Sequence, residues 1–242
     1  MDTEIKKKVN ELIRFKPNPV IFEIGAHYGE DTIDMLNVFD NPNIYCFEPH
    51  PGNAAFIRKY FSMNVVDEGS FSHDRYDGDD GTVNLYEIAL SSNDGIQNSE
   101  FNMIISPLPK DAPLPKKYSW MNEGDYRSLQ LNDSGGSSLK NGYRNEDCKT
   151  VIVRSTRMDR WALTETKGVK SVDFIWIDVQ GAEREVIEGG YQTLQFTKYI
   201  WMEYGETHYD GGMTKQETID LLAGNKFRPL LYDRNNVLFE RI

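Results

Sequence analysis

The sequence predicts an α/β fold: a mostly parallel sheet covered by helices on both faces and finished by a C-terminal antiparallel hairpin. Three observations predict it. Short apolar runs alternate with helical periodicities from Val20 onward, the pattern of strand–helix–strand units. Residues 172–177 are apolar almost throughout, as a central parallel strand buried on both faces requires. Near the end, Asn235-Asn236 reads as a tight turn between residues 227–232 and a last strand at 237–240.

Taken in order, residues 2–15 place Ile5, Val9, Leu12 and Ile13 at helical spacing between lysines, and Pro17 and Pro19 end that amphipathic helix. This N-terminal unit, 1–19, precedes one domain over 20–242 with a polar insertion at about 91–150. Residues 20–24 form a strand ending in Gly25, and 31–39 carry Ile33, Leu36 and Phe39 on one helical face. A second strand, 43–47, ends in Glu48 and Pro49, and a helix at about 52–61 carries Ala55, Phe56 and Tyr60. Residues 67–81, rich in Asp, Gly and Ser, read as a mobile acidic loop, and 82–90 as the next strand. A turn at 91–95 leads to an antiparallel strand near 100–104. Residues 106–150 are then long, polar and broken by prolines; beside strand ends, such insertions face substrate more often than they brace the fold. Strand character returns at 151–154. After 172–177 come a helix at 181–188, a strand at 199–202, a helix at 215–222 and the hairpin.

A chain of 242 residues, 39% hydrophobic, suits one large globular domain. The formal charge of −11, with no basic stripe, argues against a nucleic-acid partner. No apolar segment is long enough to span a membrane, and residues 1–8 lack the apolar core of a secretory signal, so the expected compartment is the cytoplasm. Cys46, in a strand, and Cys148, in a polar loop, supply neither a disulfide framework nor a four-thiolate zinc site.

Three segments carry the chemistry. Glu23-Ile24-Gly25-Ala26-His27-Tyr28-Gly29 joins the first strand to its helix, where open parallel sheets bind ligands. Its Gly-x-x-x-Gly spacing is not the dinucleotide fingerprint and no P-loop lysine follows, so a ligand without pyrophosphate fits best; read blandly, the glycines serve packing. Glu48 closes the second strand, where an acid can accept ribose hydroxyls, although a solvated carboxylate near a helix N-terminus is the plain alternative. Asp178 ends the apolar strand, a place where a carboxylate without purpose would cost several kcal/mol. Glu183, in the following first helical turn, is also a routine dipole stabiliser.

These segments, above all Ile177-Asp178-Val179-Gln180-Gly181-Ala182-Glu183, resemble the FkbM-type methyltransferases. Glu87-Ile88-Ala89-Leu90, Ser137-Ser138-Leu139, Met158-Asp159 and Glu203 extend the resemblance, which runs from about Val20 to Glu203. Gln180 stands where the family usually has Glu, and the 67–81 loop is longer than expected. The resemblance implies a Rossmann-like class I methyltransferase fold and S-adenosylmethionine as cofactor. Its implied binding set is Glu23, Gly25 and Gly29 around the methionine part, Glu48 on the ribose and Ala89 and Leu90 near the adenine, together with Ala26, Tyr28, Thr32, Pro49, Ser138 and Asp178.

The implied reaction is methyl transfer to an oxygen, with a sugar hydroxyl of a glycan or glycosylated metabolite as the expected acceptor. Such a hydroxyl is helped by a general base, and Asp178, Glu203 and His208 are the candidates in that order, with His27 behind them. The same three residues carry ligand types that suit magnesium or manganese, but such types recur at distant positions by chance and no metal site is assigned. Trp161, Trp176 and Trp201 read as core, and Trp120 as a stacking surface for a saccharide. The rival readings are a methyltransferase for a protein, lipid or other small molecule, and a nucleoside-binding module without catalysis.

Overall fold

The computed structural model describes residues 3–66, 71–104, 124, 136–142, 148–165, 171–204 and 209–242. Its elements are α1 (Thr3–Ile13), β1 (Val20–Ile24), α2 (Glu30–Val38), β2 (Asn43–Phe47), α3 (Pro51–Tyr60), β3 (Asn64–Val66), β4 (His73–Gly78), β5 (Gly81–Tyr86), β6 (Ala89–Leu90) and β7 (Gln97–Ile104). They continue with β8 (Cys148–Thr156), α4 (Met158–Glu165), β9 (Val172–Ile177), α5 (Glu183–Gly189), α6 (Tyr191–Leu194), β10 (Thr197–Glu203), α7 (Lys215–Gly224), β11 (Phe227–Asp233) and β12 (Asn236–Arg241).

Among the described residues the main sheet runs β11-β12-β10-β9-β1-β2-β5-β4-β3. Strands β5, β2, β1, β9 and β10 are mutually parallel, and β12 is antiparallel to both β10 and β11. The chain moves outward from β1 through β2 to β5, then returns to the other side of β1 at β9. That reversal opens a crevice at the carboxyl ends of β1, β2 and β9, where open α/β sheets bind ligands. A smaller sheet, β6-β8-β7, stands apart.

Strand alternation divides the core into two layers. Phe22, Ile24, Ile175 and Ile177 pack with Met158, Trp161, Val186 and Leu222 on one face. Ile21, Phe174 and Trp176 pack with Met35, Ala54 and Ile57 on the other. Helix α3 buries Ala54, Phe56 and Ile57 and leaves Ala55 and Tyr60 outside. Trp161 is fully buried with ring centroids of Phe47 at 4.7 Å and Phe22 at 5.2 Å, and Trp176 and Trp201 stack at 3.5 Å; all three are core, while Trp120 lies outside the described residues. At the opposite end of the sheet, buried Asp173 accepts from Lys16, from Lys198 Nζ at 2.9 Å and from the Val20 amide at 3.0 Å, fastening the segment after α1 to β9. These donors hold its carboxyl below the usual range against the effect of burial.

Three expectations are corrected. The acidic loop at 67–81 contains β4, antiparallel to β5; its sequence His-Asp-Arg-Tyr-Asp-Gly lacks an apolar run because, near the sheet edge, only Asp74 is buried, and Arg58 pairs with it. Residues 82–90 are two strands in different sheets, broken by the turn in which Ile88 N donates to Tyr86 O at 2.9 Å. Cys148 begins β8 rather than sitting in a loop.

Candidate active site

Three strand ends are stitched together by backbone. Gly25 N and Ala26 N donate to Phe47 O at 2.9 and 3.2 Å, and Asp178 N donates to Ile24 O at 2.9 Å. Gly25 has φ +91, and a Cβ there would lie 1.8 Å from the Asp178 carbonyl oxygen, so only glycine lets the turns after β1 and β9 touch. Gly29, at φ 82, caps α2.

Glu48 follows β2 and is buried. Its Oε2 accepts the His27 amide at 2.7 Å and its Oε1 the His50 amide at 2.8 Å, while the Asn53 side chain donates as well. Burial pushes its carboxyl up to about 7, against the pull of these donors and of His27. His50 shapes this corner: its Nδ1 accepts from Gly52 N and Asn53 N at 3.1 and 3.3 Å, capping α3, and burial pushes the imidazole down to about 4.

The turn after β9 is held by Glu183, whose Oε1 accepts from Val179 N and Gly181 N at 3.3 and 3.2 Å. Glu183 is buried and pushed up to about 7 by that burial; its contacts are those of a clamp on the loop. Gln180 Nε2 donates to Asp178 Oδ1 at 2.6 Å.

A cavity of about 380 Å³ lies over these turns. Gly25, Ala26, Glu48, Pro49, Ala89, Leu90 and Asp178 line it. Glu23, Tyr28, Gly29, Thr32 and Ser138 do not. Glu23 points into the opposite core layer, where its Oε2 accepts from Thr32 Oγ1 at 2.5 Å and Cys46 Sγ at 3.2 Å, and burial with nearby Asp31 pushes it up to about 8. Tyr28 is fully buried against Phe56, with centroids at 5.7 Å. Ser138 Oγ donates to Gln180 O at 2.7 Å, so it braces the turn from behind. Glu203 ends β10 opposite Asn236, outside the lining, and His208 lies outside the described residues.

The structure adds lining residues that the sequence did not single out for binding: Glu30, Asp31, Asn53 and Phe101. His27 also lines the cavity, its Nδ1 2.8 Å from Glu30 Oε1. Acids in a first helical turn read from sequence as dipole partners, which hid Glu30 and Asp31. Glu30, Asp31, Glu48 and Asp178 give the lining four carboxylates, and no Lys or Arg stands among the described residues that form it.

A family model of the methyltransferase FkbM domain matches residues 23–229. The chain belongs to this family. It is a methyltransferase, and its sheet order is that of the class I methyltransferase fold. A relative of this FkbM chain is the 2-O-methyltransferase NoeI of Sinorhizobium fredii, 30% identical over 209 residues that cover 86% of this chain and 72% of that one. Among solved structures, the precorrin-6y C5,15-methyltransferase of Geobacter metallireducens is similar with a TM-score of 0.43 at 12% identity, over 99% of this chain and 88% of that one. Among the described residues no group of three or more His, Cys, Asp or Glu is placed to hold a metal ion, and no helix is long and apolar enough to cross a membrane.

Proposed function

We propose that this FkbM methyltransferase uses S-adenosylmethionine and methylates a hydroxyl oxygen of a sugar, in a glycan or a glycosylated metabolite. The observation that carries the cofactor reading is the make-up of the cavity wall: four acidic side chains, with no Lys or Arg among the described residues that form it, suit a nucleoside with a positive sulfonium better than a pyrophosphate. Glu48 and Asn53 would hold the ribose hydroxyls, and Ile88, Ala89, Leu90 and Phe101 the adenine. The backbone of Gly25 and Ala26, with Glu30 and Asp31, would face the methionine part. Transfer to an oxygen is supported by the relative named a 2-O-methyltransferase.

When bound, the cofactor supplies an electrophilic methyl on a sulfonium. Asp178, at the carboxyl end of the central strand and in the cavity wall, would accept the acceptor's hydroxyl proton as that oxygen takes the methyl, the sulfonium being left as a neutral thioether. The turns after β1 and β9 hold the two partners in line, and the strap at 136–142, which contributes Gly136, Ser137 and Leu139 to the wall, narrows access of water. The test is a panel of saccharides, proteins, lipids and small hydroxylated molecules incubated with methyl-labelled cofactor and analysed by mass. A single methyl on a sugar oxygen is expected; labelling of only non-sugar acceptors would overturn the acceptor reading.

A further inference from the structure

Gln180 stands at the crest of the turn after β9 with φ +55, a conformation that residues other than glycine adopt rarely. Such a backbone persists where its surroundings hold it. Here Ser138 Oγ donates to the Gln180 carbonyl at 2.7 Å, Glu183 holds the flanking amides, and Gly181 is pressed so close to Tyr209 that a Cβ would come 2.4 Å from the tyrosine Cβ. The turn carries the Gln180 side chain back over its own strand end. There Nε2 donates to Asp178 Oδ1 at 2.6 Å, and the Tyr209 hydroxyl shares its one proton between the Gly136 carbonyl at 3.0 Å and Gln180 Oε1 at 3.3 Å.

The partners orient this amide. An ionised carboxylate can only accept, so Nε2 must face Asp178, and Oε1 is then the end presented to the tyrosine hydroxyl. A hydrogen bond to one carboxylate oxygen fixes the rotation of the whole group and favours its charged form. We propose that Gln180 is the positioning residue for the proton acceptor of the reaction, holding the Asp178 carboxylate in one orientation and in the ionised state that can take a proton. The strap and the segment after β10 take part, because Ser138 and Tyr209 both fasten Gln180. A glutamate at 180 could keep the contact only by sharing a proton with Asp178.

The proposal rests on Asp178 being the base, and the experiment separates the two. In the full chain, Gln180→Leu removes the donor at similar size, and Gln180→Glu replaces it with a second carboxylate at nearly unchanged shape. The side-chain carboxyl carbon of Asp178 is titrated by NMR in each variant and in the wild type, beside turnover against pH and cofactor affinity. Other titrating groups surround the pair: Glu183 in the same turn, His27, Glu30, Asp31 and Glu48 across the cavity, Tyr209 behind the amide and Glu203 at the end of β10. The result is therefore read as a difference between variants. Gln180→Glu is expected to move the Asp178 titration and the acid limb of turnover upward by about one unit or more. Gln180→Leu is expected to lower kcat about tenfold or more while cofactor affinity stays within about threefold. An Asp178 titration identical in all three proteins overturns the proposal, whatever the activities. Full turnover in Asp178→Asn would instead remove Asp178 as the base, and the carbon titration would still decide whether Gln180 sets its ionisation.

Discussion

Three buried glutamates, Glu23, Glu48 and Glu183, are pushed by burial to about 8, 7 and 7 from an ordinary 4.5. Each folded value lies above the unfolded one, so the folded chain holds more protons between the two. Their contribution to stability is complete below about pH 4.5 and is lost as pH rises through about 7 to 8. The ligand-free protein should therefore unfold at lower urea as pH is raised from about 5 to about 9. Glu23→Gln keeps the shape and the acceptor for Thr32 while removing the titration, and should recover on the order of 2–4 kcal/mol at the alkaline end. Parallel stability-against-pH curves for wild type and variant would contradict this. Glu48 differs from Glu23 because it lines the cavity. Glu48→Ala should weaken cofactor binding by roughly 1.5–3 kcal/mol, the scale of charge-assisted hydrogen bonds, with folding retained. Unchanged affinity in a folded variant would return Glu48 to the role of a backbone clamp for His27 and His50.

The glycine turn after β1 makes a sharper prediction than its spacing suggests. A Cβ at Gly25 would meet backbone at 1.8 Å, whereas at Gly29 the nearest atoms are side-chain atoms at 3.5 Å or more. Gly25→Ala should cost roughly 3 kcal/mol or more and abolish cofactor binding, and Gly29→Ala only about 1–2 kcal/mol of left-handed strain. Urea unfolding of the two variants checks this, and equal costs would contradict it. Much of this architecture was legible in the sequence: β1, β2 and β9 stand out as apolar runs, and Gly25, Glu48 and Asp178 mark their ends. Which face a strand residue takes was not legible, because a sheet covered on both sides has no polar alternation to read. Glu23 was thus assigned to the cofactor although it points into the opposite core layer. β4 escaped because a strand next to the sheet edge need not be apolar, and Glu30, Asp31 and Phe101 reach the cavity only through tertiary packing.

For the whole molecule, a formal charge of −11 surrounds a cavity that is itself lined by carboxylates. The field of the chain and of its cavity therefore have one sign, which draws in a cationic ligand and opposes a polyphosphate. Loss of the methyl converts the sulfonium to a neutral thioether, so the same field favours departure of the product. The central claim is that this cavity was built for a sulfonium nucleoside, and calorimetric titration of the purified chain with S-adenosylmethionine, its demethylated product and NAD tests it most directly. The account predicts saturable binding of S-adenosylmethionine, weaker binding of the product and none of NAD. Tight binding of NAD together with no binding of S-adenosylmethionine would contradict it.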